Sequence, residues 1–503
     1  MTRTRAVLAA ASLLLTLAAA PGRAAAPPPA LTYDGATQQI QALGSTIVLS
    51  WNDLGMHCMN QNHLNLSVLP PFNNLYAQVI QRGDATRLPQ VLTNGVSVEY
   101  SVPGNTYSVG KTDFWTYAPA LFGVTLPPNV GLTGKGLTGS LDLSGTAFFA
   151  RGIPVTPWPD NDLVNEHPFQ QALVIARDGG GAELARSTPV IPVSTEIRCV
   201  SSGCHASESA ILNGHPREAG FDPNVRPILC GKCHATPALG TTGIAEAGYF
   251  SFRIHDQHKF LDQQMSGTAA CYMCHPGNQS QCLRGAMSML HGQQCQNCHG
   301  NMANVSRTIE NGRVPWVQEP RCADCHTSAY AENANTLFRN SFGHGGVMCE
   351  GCHNSTHADV PARDPEDNAN SIALQGYAGS LRDCRVCHGV LPTGAGPHGL
   401  TMTLGVEQEL IAGARPLRAF PNPMRAACAV EIPANSADNG RLFVYDAQGR
   451  IVRALQPAVA RAGLLRAAWD GNDSHGARVH AGVYLVRWQQ GANKAATRIT
   501  VVD

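Results

Sequence analysis

Residues 292–300 read GQQCQNCHG, and the pentapeptide Cys295 to His299 inside that stretch recurs along the chain. CGKCH at 230–234, CYMCH at 271–275, CADCH at 322–326, CEGCH at 349–353 and CRVCH at 384–388 bring the total to six copies. With 17 Cys and 19 His among 503 residues, random order would give on the order of 0.02 such pentapeptides. The repeat therefore marks six similar sites, and everything else in the chain is read around it.

Three cofactors compete for a C-x-x-C pair. Zinc ribbons use paired knuckles but have no reason to place histidine directly after every second cysteine. Iron–sulfur clusters prefer clustered thiolates. In C-x-x-C-H the two thiols form thioethers with porphyrin vinyl groups, and the adjacent histidine takes the proximal iron position. The attachment residues are thus Cys230, Cys233, Cys271, Cys274, Cys295, Cys298, Cys322, Cys325, Cys349, Cys352, Cys384 and Cys387, with proximal His234, His275, His299, His326, His353 and His388. CVSSGCH adds a seventh site: Cys199 and Cys204 are separated by four residues and followed by His205. Its two extra residues can bulge outward while both sulfurs still reach their vinyl groups; the plainer alternative is a structural disulfide. The expectation is seven covalently bound haem c groups.

A haem with two strong protein ligands shuttles electrons, and one with an open position can bind a substrate. Besides the seven proximal residues, the segment from Cys199 to Leu400 holds His215, His255, His258, His291, His344, His357 and His398, seven spares for seven irons. The match predicts bis-histidine ligation throughout. His291 and His344 sit shortly before attachment cysteines, each followed by glycine, a position from which a histidine caps a neighbour's iron more easily than its own. His255 and His258 are three apart, so on a helix they share a face and can serve two haems. Met265, Met287, Met289, Met302, Met348 and Cys282 are reserve ligands.

Working outward, cysteine density divides the chain. One cysteine, Cys58, lies between Leu31 and Ser194, fifteen lie between Cys199 and Cys387, and Cys428 follows alone. Motifs begin at 199, 230, 271, 295, 322, 349 and 384, so the intervening segments are short and poor in apolar residues, and the porphyrins must supply the missing apolar mass. "SSGCHASESAILNGH" and "CHTSAYAENANTLFRN" are the candidate short helices there. The flanks read as β-structure. VSVEYSV (Val96 to Val102) alternates after the Asn94-Gly95 turn, QALVIARDGGGAELAR forms a hairpin about Gly179 to Gly181, and RLFVYDAQGRIVRAL is two strands about Gly449. Asp53, His57, Cys58, Met59 and His63 gather in SWNDLGMHCMNQNHLNL, ligands by type but also ordinary packing residues. The chain opens with Arg3, Arg5 and an apolar run from Ala6 to Ala20, a secretory leader too short to span a membrane. Lys+Arg and Asp+Glu both total 36, which gives no basic surface for nucleic acid.

The expected architecture is multidomain: a leader at 1–26, a β-rich domain of unknown role at 27–195, an irregular, α-helical, haem-packed core at 196–400, a linker at 401–420 and a β-sandwich at 421–503. The last part, with "PNPM", "LFVYDAQGRIVRAL", "WDGNDSHGARVHAGVYLVRW" and "TRITVVD", resembles the immunoglobulin-like domain of flagellar hook-capping proteins from Pro421 to Asp503. That resemblance implies attachment or self-assembly rather than chemistry. The segment from Cys199 to Leu400, with "CYMCHPGNQSQCLRGAM" and "GHGGVMCEGCHNSTHA", is similar to secreted bacterial multihaem c-type cytochromes. It implies electron transfer in anaerobic respiration or extracellular electron exchange, with redox proteins or extracellular acceptors as partners. The resulting expectation is an exported electron carrier, periplasmic or at the cell surface, without a transmembrane span and without catalytic residues. The competing expectation is a multihaem reductase or oxidase with one open haem acting on a small nitrogen or sulfur compound. No C-x-x-C-K occurs, so the lysine-ligated site of pentahaem nitrite reductases is missing.

Overall fold

The computed structural model describes residues 43–502, except 198, 219, 278–279, 394, 400–416, 433–439, 447–450, 462–463, 475 and 491–492. The expected leader and most of the expected linker fall outside the described residues.

The strand Thr46–Trp51 organises the first part. Its sequence, TIVLSW, is buried at every position rather than alternately, because the sheet it belongs to is covered on both faces. It pairs antiparallel with Asn74–Gln81, which pairs in turn with Ala147–Arg151 and Gln90–Leu92, and Asp142–Ser144 closes the sheet. A second antiparallel sheet has the order Glu183–Ser187, Leu173–Asp178, Val96–Ser101, Thr138–Ser140. The expected hairpin about Gly179 to Gly181 is the first pair of this sheet. Val48, Leu75, Ala77, Val79, Phe148 and Ala150 of one sheet meet Val98, Tyr100, Val174 and Ala176 of the other in a shared core. Successive side chains point to opposite faces, so Ile47, Leu49, Trp51 and Ile80 face the other way. They pack on Val347, Met348, Leu374, Leu381, Val386 and Cys387 of the cysteine-rich part.

That part has little core of its own. Its own apolar cluster is Leu261, Ala270 and Met302 with Met265 at the edge, and its longest helices, Phe250–His258 and Met302–Glu310, run nine residues. The helix expected in SSGCHASESAILNGH forms at Glu208–Gly214, with Ser207 capping Ala210 N–H. The one expected across CHTSAYAENANTLFRN does not; only a single turn at Phe338–Asn340 is helical. Backbone partners hold the segment to the first sheet instead. Arg82 donates from Nε to Val386 O (2.7 Å) and from Nη2 to Arg385 O (2.7 Å), Gly83 N–H donates to Cys387 O (2.8 Å), and Gln78 Oε1 accepts from Met348 N–H (2.9 Å).

Arg284 is the buried rivet of this contact. Its side chain is fully buried, donating to both oxygens of Asp367 (2.6 and 2.8 Å) and to Gly55 O (2.5 Å) across the junction. Burial nevertheless outweighs the guanidinium and raises the Asp367 pKa above the ordinary carboxylate value. Removing one member of such a pair leaves an uncompensated charge, which costs about 3–5 kcal/mol. Arg284→Met is therefore expected to lower the chemical-unfolding midpoint sharply, and adding Asp367→Leu to recover more than half of the loss.

Residues 417–502 form two four-stranded antiparallel sheets. One has the order Arg418–Phe420, Cys428–Ile432, Leu464–Trp469, Ala458–Arg461 and the other Ile451–Leu455, Gly440–Tyr445, Gly482–Gln490, Asn493–Val501. The inward-facing residues of both, among them Val430, Ile432, Leu442, Val444, Val486 and Trp488, make one core. Trp469, fully buried, stacks edge-on against Tyr484 with ring centres 5.3 Å apart. No helix among the described residues is long and apolar enough to cross a membrane.

Candidate functional site

Each of the six C-x-x-C-H motifs lies on a helical turn. The histidine N–H donates to the carbonyl of the first cysteine at 3.0 Å for His234, 2.9 Å for His275, 2.8 Å for His326 and 2.8 Å for His388. His299 and His353 end the helices Cys295–His299 and Cys349–His353 in the same way. The long variant closes through the same two groups over a wider loop, six residues instead of four: His205 N–H donates to Cys199 O at 3.1 Å, while Gly203, at φ 79°, turns the two extra residues back with a 2.8 Å bond to Val200 O. Among the described residues, no disulfide joins any cysteines of the seven motifs, the 199/204 pair included.

The histidines meet in pairs. Ring centres are 6.2 Å apart for His205 and His258, 6.0 Å for His234 and His215, and 6.1 Å for His275 and His255. They are 6.2 Å apart for His299 and His357, 5.9 Å for His353 and His398, and 6.0 Å for His388 and His344. In each pair one ring directly follows the second cysteine of a motif and the other belongs to no motif. His326 has no ring contact or side-chain hydrogen bond among the described residues, and His291 faces no histidine.

A histidine ligates through one nitrogen when the other donates a proton to a fixed acceptor. Nδ1 of His255 lies 2.7 Å from Ser251 O, that of His258 2.8 Å from Ile254 O, and that of His215 2.8 Å from Pro216 O. Nδ1 of His234 lies 3.0 Å from Ala247 O, that of His398 2.8 Å from Ala329 O, and that of His353 3.0 Å from Ser380 Oγ. Nε2 of each ring is thereby left as the free donor atom of the pair. Burial holds His353 and His357 at about 4, so both are neutral near pH 7, the form a metal needs. These carbonyls have no sequence signature, and Ser380 is one serine among many, so the sequence pattern does not reveal them.

Short segments serve several pairs at once. The Phe250–His258 helix carries His255 and His258, which face the motifs at 271 and 199. The stretch from His344 to His357 gives one ring to each of three pairs, and the stretch from His388 to His398 completes two of them. Cys271 and Cys295 lie close enough that each perturbs the ionisation of the other, which puts their two motifs side by side.

The backbone at Leu54 and Gly55, inside the polar cluster near residue 57, lies against His357 of one pair, whereas Asp53, His57, Cys58, Met59 and His63 make no ring contact with any pair among the described residues. His57 Nε2 lies 3.9 Å from Asp53, His63 Nδ1 bonds Ser67 Oγ at 3.0 Å, and Met59 is in the sandwich core. Among the described residues, no group of three or more His, Cys, Asp or Glu is arranged to hold a metal ion.

Comparison with known proteins gives two partial family matches. The FlgD Ig-like domain matches residues 425–493, and the family of cytochrome c554 and c-prime matches residues 303–354. The second span contains the motifs at 322 and 349 and also His344. No curated protein matches the chain. Among solved structures, PorZ of Porphyromonas gingivalis, described as an essential surface component of the type-IX secretion system, is 19% identical with a TM-score of 0.15, covering 22% of this chain and 16% of its own. Dimeric latent PorU of the same organism is 11% identical with a TM-score of 0.15, covering 92% of this chain and 34% of its own. The chain spans about a third or less of either protein, and likeness at that score carries no argument.

Proposed function

We propose that the chain is an exported seven-haem c-type cytochrome that passes electrons through closely packed haems between donors and acceptors outside the cytoplasm. The observation that carries this reading is the set of six histidine pairs. Metal–imidazole bonds of about 2 Å, with each ring centre roughly 1 Å beyond its bonded nitrogen, put two rings sharing one metal about 6 Å apart. The pairs at 5.9–6.2 Å fit that spacing, and each has two cysteine thiols next to one of its rings. The cytochrome c554 and c-prime match over 303–354 supports the same reading. When bound, haem supplies an iron that cycles between ferric and ferrous states, and two histidine ligands hold its potential low.

The chain's own contribution is order. Shared segments link the motifs at 230 and 199 through the Glu208–Gly214 helix, those at 199 and 271 through the helix carrying His258 and His255, and those at 271 and 295 through Cys271 and Cys295. His357 and His353 then link 295 with 349, and the two crossed pairs link 349 with 384. The motif at 322 joins beside this line, where Ala329 O fixes His398. The sandwich at 417–502 serves attachment or assembly. A haem count with a reductive titration tests the reading: seven haems and seven electrons per chain are expected, and substoichiometric haem would overturn it.

His326 favours a second reading. Its motif lacks a facing histidine among the described residues, and His291, the remaining spare, does not reach it. If that iron keeps an open position, the protein is a reductase or oxidase fed by the other six. Carbon monoxide bound by one reduced haem of seven would support this reading, and none bound would favour the closed carrier.

A further inference from the structure

Fourteen cysteines stand in the seven motifs, which leaves Cys58, Cys282 and Cys428. Cys428 is buried in the C-terminal sandwich, opposite Trp469 in the strand register. The other two are far apart in sequence but held together from both sides. Cys58 pairs with Ser194, whose carbonyl accepts from Met59 N–H at 2.9 Å. Two residues on, Glu196 accepts the Ser280 N–H at 3.0 Å. From the other side, one nitrogen of Arg284, Nη1, donates to Gly55 O at 2.5 Å and to Cys282 O at 3.2 Å. Cys282 therefore lies between two clamps, at 280 and 284, that grip Glu196, two residues past the partner of Cys58, and Gly55, three residues before Cys58.

We infer that Cys58 and Cys282 form a disulfide in the mature protein, bonding the β-rich part covalently to the cysteine-rich part. The inference rests on the proposed export, because thiols are oxidised to lasting disulfides outside the cytoplasm. The chemistry is exchange with the disulfide of an exported dithiol oxidase. One thiolate of the pair attacks a sulfur of that disulfide and expels a thiolate; the second thiolate then attacks the mixed disulfide and expels the other. The two cysteines together lose two protons and two electrons, and the oxidant's disulfide takes them up as two thiols.

In the structure both residues are free thiols, near enough that a charge on Cys282 raises the pKa of Cys58 further. Burial raises Cys58 above the ordinary thiol range and pushes Cys282 up to about 11. The disulfide also settles the odd cysteine count, leaving only Cys428 as a thiol.

The test uses full-length protein matured with haem in a bacterial periplasm, denatured in iodoacetamide with and without prior reduction, then digested and mapped by mass spectrometry. Without reductant, a cross-linked peptide pair is expected, with complete loss of alkylation at Cys58 and Cys282 while Cys428 is alkylated. After reduction both cysteines are alkylated. Full alkylation of both without reductant overturns the inference. Haem–thioether peptides in the same digest report separately on the cytochrome reading. Fourteen thioether-linked cysteines with no cross-link sink the disulfide alone; a cross-link beside unmodified motif cysteines sinks the haem assignment alone.

Discussion

Made without haem attachment, the chain is expected to keep its two β parts and lose the part between them. The first sandwich has a core of twenty buried residues, whereas the cysteine-rich part has three with one at the edge. Segments of that length cannot offset the entropy of ordering their backbones with so little apolar burial. Limited proteolysis should cut apoprotein between residues 199 and 388 at least about a hundredfold faster than holoprotein, equivalent to losing about 3 kcal/mol of local stability. Cuts within 46–187 and 464–501 should hardly change. Loss of the central part also uncovers Ile47, Leu49, Trp51 and Ile80, so the apoprotein should bind an apolar dye on that face and aggregate through it. Equal protease resistance in apoprotein and holoprotein would mean that the polypeptide builds this part unaided.

His255→Ala and His258→Ala are expected to open two different irons although the residues are one helical turn apart. His255 faces His275, and His258 faces His205. Each substitution should convert one low-spin haem to high-spin and move its potential upward by roughly 0.1 V or more, within the about 0.8 V over which axial ligands set haem potentials. The double variant should convert two. One converted haem in the double variant would mean that both residues act on a single iron. No conversion in either single variant would mean that neither is a ligand. Because these two pockets lie on the proposed path between the motifs at 230 and 295, the double variant should also slow internal electron exchange.

Much of this was legible in the sequence, and what was not has physical causes. Cysteine–histidine spacing is local, so the seven motifs could be read directly, including the long one, whose His205 N–H still reaches Cys199 O across a wider loop. The pool of spare histidines was legible too, since only the type and number of residues were needed. Which spare meets which motif was not, because the pairs join residues as distant as His299 and His357 or His344 and His388. A contact across such a separation leaves no period in the sequence. His344 stands before the motif at 349 and faces the one at 384, whereas His291, in a similar place before the motif at 295, faces none. The helix expected after Cys325 failed for a different reason. Glu332 accepts from Arg321 Nε and Ala323 N–H, and Asn333 Oδ1 accepts from Phe342 N–H, so polar side chains give this backbone partners that a helix would otherwise supply. In the flanking parts, alternation located Val96–Ser101 but gave no sign of Thr46–Trp51, whose second face is covered by a segment some three hundred residues later.

The central claim is that paired histidines hold irons in this chain, and the most direct test is a low-temperature electron paramagnetic resonance spectrum of air-oxidised holoprotein, with haem counted on the same sample. Seven haems are expected, with at least six equivalents of low-spin ferric signal, one for each histidine pair. The seventh iron, at His326, decides between the carrier and the open-site enzyme by being low-spin or high-spin. Fewer than six low-spin equivalents, with haem fully incorporated, would mean that the paired histidines do not share irons.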